Sequence, residues 1–228
     1  MGGRTLGTLL IGLGHRARQG KNFVANYILE QAGARASLYA FADELKLYCK
    51  EHHEELEPQW QLANQTKQKP GWKDDPIYGC TPILQWYGTD VARKQDPDTW
   101  VKALHARLSR ENPEIAIVTD CRFINEAEYI KKAGGFLIEV IRRNADGTQF
   151  VDPGRDPNHI SETALEGFEG WDCTIDCRDG DLKNLRAFSI GIYNFVTGDY
   201  ALDTLIDQTY SEAVLKSIED SDATGFAG

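Results

Sequence analysis

At 228 residues the chain is long enough to bury a sizeable core as one domain, and 41% hydrophobic residues suit a globular protein. No apolar run approaches the roughly 18 residues that a membrane helix needs. With 25 Lys and Arg against 35 Asp and Glu, the net charge of −10 repels polyphosphate backbones and argues against stable DNA or RNA binding. Local arginine clusters still leave small phosphorylated ligands open. The start, Met1-Gly2-Gly3-Arg4, lacks the long apolar stretch of a secretory signal, so a cytoplasmic location is expected. The five cysteines are scattered, and Cys173-x-x-x-Cys177 stands alone, so reduced thiols are expected rather than a zinc site.

Taken in order, the chain alternates strands and helices, the pattern of a doubly wound parallel sheet. Leu6 to Leu13 reads as a strand covered on both faces, followed by a helix from about Gly20 to Gln31. Ser37 to Phe41 reads as a second strand and Glu44 to Glu55 as a helix. From Glu57 to Cys80 the pattern dissolves into Pro, Gly, Gln, Asn and Lys around Trp60 and Trp72, an excursion from the core. Helices are expected over Thr81–Lys94 and Asp98–Arg110, then a strand over Ile115–Thr119 that delivers Asp120. A helix over Phe123–Ala133 closes at Gly134-Gly135, and Phe136–Ile141 is a fourth strand ending in Arg142-Arg143. Asn144 to Ile160 reads as a loop or lid, and Thr163-x-x-Glu166 has the capping-box spacing of a short helix start. Cys173–Asp176 is a fifth strand, helices follow near Leu182–Val196 and Leu202–Ser217, and the acidic tail from Glu219 is expected to fray.

The stretch from Leu9 to Asn22 carries the clearest chemical signal. A strand, a loop bounded by Gly14 and Gly20, then Lys21 and a helix describe a phosphate cradle, in which backbone N–H groups and a helix N-terminus face the anion. Five residues separate Gly14 from Gly20 where the common pattern G-x-x-x-x-G-K-[ST] has four, and Asn22 stands where that pattern has a magnesium-binding hydroxyl. The overlapping Gly12-x-Gly14-x-x-Ala17 fits a dinucleotide fingerprint, which keeps a second reading open.

Ligands of open α/β sheets bind beyond the carboxyl ends of the strands. There the sequence places the Gly14–Lys21 loop, Asp43, Asp120 with Arg122, Arg142 with Arg143, and the segment Arg155 to Glu162, a charge complement suited to polyphosphate. Asp120 reads either as a magnesium site, through water, or as the N-cap of the helix after it. Asp43 has the same two readings. No Ser/His/Asp or Cys/His arrangement stands out, and phosphoryl transfer needs neither.

Several segments, in order, resemble the phage deoxynucleoside monophosphate kinases. They are Gly14…Arg18-Gln19-Gly20-Lys21, Phe41-Ala42-Asp43-x-Leu45-Lys46, Leu84-Gln85-Trp86-Tyr87-Gly88-Thr89-Asp90, Asp120-x-Arg122-Phe123-x-Asn125-Glu126, Gly134-Gly135, Arg142 and His159-x-Ser161-Glu162. The resemblance implies an α/β P-loop kinase fold with five parallel strands in the order 2-3-1-4-5. It implies one domain with a core of 5–42, 98–143 and 171–218, an acceptor-binding insert over 43–97, a lid over 144–170 and a frayed tail over 219–228. It further implies ATP bound by Gly14, Arg16, Arg18, Gln19, Gly20, Lys21, Asn22 and Arg155. The acceptor nucleotide would face Asp43, Lys46, Trp86, Gly88, Thr89, Arg93, Arg142, Ser161 and Glu162. Lys21, Arg18, Asp120, Arg122 and Arg142 would be the catalytic set, and Asn22 and Asp120 would hold Mg2+ through water. The loop's extra residue and Asn22, where the family usually has an acidic residue, are departures that bear on the metal.

The resulting expectation is ATP- and Mg2+-dependent phosphoryl transfer to deoxynucleoside 5′-monophosphates, in the host cytoplasm if the gene is a phage's. Nucleotides would be the partners, with no membrane and no stable nucleic acid; a homodimer is compatible with a sequence that does not fix the oligomeric state. The alternatives are a kinase for a modified base in DNA or another small phosphorylated metabolite, and an NAD(P)-binding oxidoreductase. Against the last, Gly20 would interrupt the first helical turn and Asp43 lies beyond the roughly 20 residues expected.

Overall fold

The computed structural model describes residues 7–52, 54–56, 58, 81–153 and 155–198. Apart from Pro58, the polar excursion with Trp60 and Trp72 lies outside these residues, as do the helix expected near Leu202–Ser217 and the tail.

Five strands form one sheet: β1 (Leu9–Gly14), β2 (Ala36–Tyr39), β3 (Ile115–Cys121), β4 (Phe136–Arg143) and β5 (Cys173–Arg178). All neighbours pair in parallel, in the order β2-β3-β1-β4-β5, the arrangement of a P-loop kinase fold. The central strands are nearly continuous apolar runs because both of their faces are covered. Ile11, Leu13, Ile117, Ile138 and Val140 face a core layer built with Val24, Ala25 and Ile28 of α1 (Lys21–Ala32). Leu10, Ala116, Val118 and Leu137 face the opposite layer. That layer is filled by α2 (Ala42–Glu51), by Trp100, Leu104 and Leu108 of α5 (Thr99–Glu111), and by Ala127 and Ile130 of α6 (Ile124–Lys132).

Gly12 lies inside β1, not in the turn beyond it, and a Cβ there would run into the Ile130 side chain and come within 2.9 Å of Leu137 Cδ1. Its lack of a side chain serves the seating of α6 on the sheet. The first glycine of the apparent dinucleotide fingerprint is therefore a packing residue.

Between α2 and α5 the chain is helical over α3 (Thr81–Gln85), a π-helical stretch (Trp86–Ala92) and α4 (Arg93–Gln95). Such widened turns occur mostly as local insertions at functional positions. This one is held from two sides: Tyr48 of α2 stacks on Tyr87 at 4.8 Å between ring centres, and the Trp100 indole N–H donates to the Gly88 carbonyl at 3.0 Å.

The helix expected to begin at Thr163 is absent. Instead α7 (Ile160–Thr163) ends there, because His159 caps it one turn earlier, its ring accepting from the Ser161 N–H at 3.2 Å. The last described helix, α8 (Leu182–Thr197), packs beside α1 and is capped by Asp181, which accepts from the Asn184 N–H at 3.2 Å. Cys121, Cys173 and Cys177 are free thiols. Among the described residues, no helix is long and apolar enough to cross a membrane.

Candidate active site

A cleft of about 820 Å3 opens at the carboxyl ends of the strands. It is lined by the loop after β1, the entrance to α2, the helical stretch around Gly88, the ends of β3 and β4, the segment around Asp152 and Arg155, and the turn after β5. Eight basic and five acidic side chains face it, so the cleft is locally positive in an acidic chain.

The first helix begins at this cleft. Gly20, at φ 101°, takes the left-handed conformation that only glycine adopts freely, and no side chain caps the helix. The first N–H groups of a helix have no partner within it. The contrast with its neighbours is informative, since α8 is capped by Asp181 and the entrance to α2 by Asp120. Arg18, at φ 53°, is also left-handed, a conformation costly for a residue with a side chain. Its side chain is exposed and pairs with Asp152 at 3.2 Å.

Lys21, the first residue of α1, is buried, and its ammonium donates to the Arg16 carbonyl. Burial lowers its pKa to about 7, and Arg122 and Arg155 push the same way against Glu162 and Asp120. A buried cation this close to neutrality gains from an arriving anion.

Asp120 is the penultimate residue of β3, and each of its oxygens accepts a backbone N–H at the start of α2: Phe41 at 2.7 Å and Ala42 at 3.0 Å. The capping alternative thus holds for a helix 78 residues earlier in the chain, not for the one that follows. Each oxygen keeps a lone pair, and Asp120 and the exposed Asn22 both line the cleft. Mg2+ commonly keeps several waters and takes one or two carboxylates besides substrate phosphates, a donor set these two side chains fit. Among the described residues, no group of three or more His, Cys, Asp or Glu side chains forms a closed metal cage.

Glu162 does not line the cleft but organises it from behind. Its carboxylate accepts from the Ala17 N–H (2.8 Å), Arg122 (2.6 Å) and Arg155 (3.1 Å), joining the loop, the end of β3 and the segment around Arg155. Burial raises its pKa, but Arg122, the Ala17 N–H and Arg155 outweigh that and hold the carboxyl below its ordinary range. Gln19 ties the same parts together: its oxygen accepts from the Arg142 N–H at 2.9 Å and its amide donates to the Phe150 carbonyl at 2.8 Å.

Of the residues given an ATP-binding, acceptor-binding, metal or catalytic role above, Arg18, Gln19, Gly20, Lys21, Asn22, Lys46, Gly88, Thr89, Arg93, Asp120, Arg122, Arg142, Arg155 and Ser161 line the cleft. Five lie elsewhere. Gly14 ends β1 beneath Trp171, and Arg16 turns away to pair with Glu166. Asp43 is held by Arg107 at 2.9 Å and by the Ala40 N–H at 3.0 Å, and Trp86 packs against the core. Glu162 is the fifth. Sequence reasoning gave no role to Glu126, although it lies in one of the quoted motifs. It is 2% exposed, pairs with Arg93 and accepts from the Arg122 and Phe123 N–H groups at 2.7 and 3.1 Å. Burial raises its pKa to about 7 against the pull of Arg93. Its position three residues into a helix, where a glutamate reaches back to the cap, was the available signal.

No protein-family model matches the chain. It is 33% identical over 184 residues to a protein of Acanthamoeba polyphaga mimivirus named "Putative deoxynucleotide monophosphate kinase", spanning 73% of this chain and 87% of that one. Among solved structures, dephospho-CoA kinase from Campylobacter jejuni matches 86% of this chain and 100% of its own, with a TM-score of 0.45 and 13% identity. By its likeness to the mimivirus protein, the chain belongs to the deoxynucleotide monophosphate kinase family.

Proposed function

We propose that this protein transfers the γ-phosphoryl group of ATP to a deoxynucleoside 5′-monophosphate, giving ADP and the deoxynucleoside diphosphate. The observation that carries the reading is a single cleft in which an uncapped helix N-terminus and Lys21 meet guanidinium groups from separate elements, Arg93, Arg122, Arg142 and Arg155 among them. Such a set is more than one phosphate requires and suits two phosphorylated ligands end to end. The name of the mimivirus relative supports the acceptor class.

In this reading an oxygen of the acceptor monophosphate attacks the γ-phosphorus, and the bond to the β–γ bridging oxygen breaks as ADP leaves. The acceptor oxygen is already ionised, so no general base is needed. The chain's task is positioning and charge neutralisation. Lys21 and the first N–H groups of α1 hold the donor phosphates, while Arg122 and Arg155 sit where negative charge accumulates. Lys46, Gly88, Thr89 and Arg93 form the acceptor end. Asp120 and Asn22 would hold Mg2+ through water, and the metal would supply neutralisation between donor phosphates. Residues 144–170 act as a lid that keeps out water able to hydrolyse ATP, over a core with residues 43–97 as the acceptor-binding insert.

A coupled assay of ADP release over a panel of deoxynucleoside monophosphates, with ATP and Mg2+, tests the reading. Turnover with at least one acceptor, lost in Lys21→Ala, is expected. ADP release that no acceptor stimulates would overturn it, as would thermal stabilisation by NAD(P) but not by ATP.

A further inference from the structure

Glu126 is a buried carboxylate in the wall of the cleft and takes no part in the chemistry proposed above. One of its oxygens pairs with Arg93; the other receives the backbone N–H groups of Arg122 and Phe123. The Arg93 guanidinium is further fixed 3.9 Å above the Phe123 ring and by donation to the Pro97 carbonyl at 3.2 Å. A single carboxylate thus joins the helical stretch carrying Gly88, Thr89 and Arg93 to the strand end carrying Asp120 and Arg122. Buried ion pairs of this kind contribute little net stability, because desolvation offsets attraction, so stability alone is a poor reason for one here. A buried, hydrogen-bonded carboxylate does fix the direction of the guanidinium it holds.

We propose that Glu126 is a positioning residue for the acceptor site, fixing the Arg93 guanidinium relative to the strand end that carries Arg122, so that Arg93 meets the acceptor phosphate in a set geometry beside the transferring phosphoryl. The inference rests on the monophosphate kinase reading. It adds that the two ends of the cleft are coupled through a side chain that itself carries no phosphate.

The test is steady-state kinetics of Glu126→Gln with the best acceptor of the panel. The amide oxygen can still cap the backbone N–H groups, while its NH2 cannot pair with Arg93. The expected result is a KM for the acceptor raised about tenfold or more and a KM for ATP within about twofold of wild type, in a folded variant whose melting temperature falls because Arg93 loses its buried partner. In Arg93→Ala, adding Glu126→Gln should cause no further rise in acceptor KM. If Glu126→Gln fails to fold, Glu126→Asp, which keeps the charge but shortens the reach, should show the same split. Equal changes in both KM values, or an unchanged acceptor KM in a folded variant, would overturn the inference while leaving the kinase reading standing. An inactive wild-type enzyme would overturn both.

Discussion

Lys21 is where sequence position, burial and charge meet. The motif puts a lysine at the first position of α1, the fold buries it, and burial brings its pKa down to about 7. A lysine depressed in the folded state destabilises the fold wherever the unfolded chain binds the proton more readily. Stability from this group therefore falls as pH drops from about 10 to about 7 and is level below that. At pH 8 the free enzyme holds Lys21 mostly neutral, and a bound triphosphate should recharge it. Calorimetry of ATP binding in two buffers of different ionisation heat should then register uptake of a substantial fraction of one proton at pH 8 and little at pH 6. The same heat in both buffers at pH 8 would contradict this. Glu162 shows the opposite sign. Its carboxyl is held low by Arg122, the Ala17 N–H and Arg155, so its contribution is present above the ordinary carboxylate range and lost as pH falls through its lowered value. Removing one partner of a buried ion pair costs about 3–5 kcal/mol, so Glu162→Ala should lower the unfolding free energy by about 3 kcal/mol in urea titrations. A loss below about 1 kcal/mol would mean that the arginines find other partners.

At the scale of elements, Gln19 ties the loop after β1 both to the end of β4 and to Phe150 in the segment that follows it. Gln19→Ala leaves those backbone groups unsatisfied, at about 1–3 kcal/mol. Local opening should follow, with hydrogen exchange over residues 142–152 faster by tenfold or more while α1 and β1 stay protected; unchanged protection over residues 142–152 would contradict it. These links also explain what the sequence could and could not disclose. Strands such as Ile115–Cys121 were legible because burial on both faces writes a continuous apolar run, and the parallel order came with the ordered motifs. Most strand and helix ends moved by a residue or two, the start of β1 by three and the end of α2 by four, since end residues are set by partners in space. The start of α7 was misread because a histidine ring capped it where Thr163 offered the commoner signal. Arg16, Asp43 and Glu162 look like ligand-binding residues in one dimension. Their charges are met by Glu166, by Arg107, and, for Glu162, by Arg155 seven residues before it together with Arg122 forty residues away, pairings that spacing alone does not record.

For the whole molecule, an acidic chain concentrates basic groups at one edge of its sheet, where five strand ends converge. The net charge of −10 disfavours long polyanions, while the cleft gathers positive charge suited to a small phosphorylated molecule. Ligands that bind the folded state raise its stability, so ATP and an acceptor together should raise the melting temperature more than either alone. The most direct test of the central claim follows the phosphoryl group itself. With ATP labelled in its γ-phosphate, Mg2+ and each deoxynucleoside monophosphate in turn, label should appear in a deoxynucleoside diphosphate made by the wild-type protein and be absent with Lys21→Ala. Label that appears only as inorganic phosphate, whichever acceptor is present, would contradict the account.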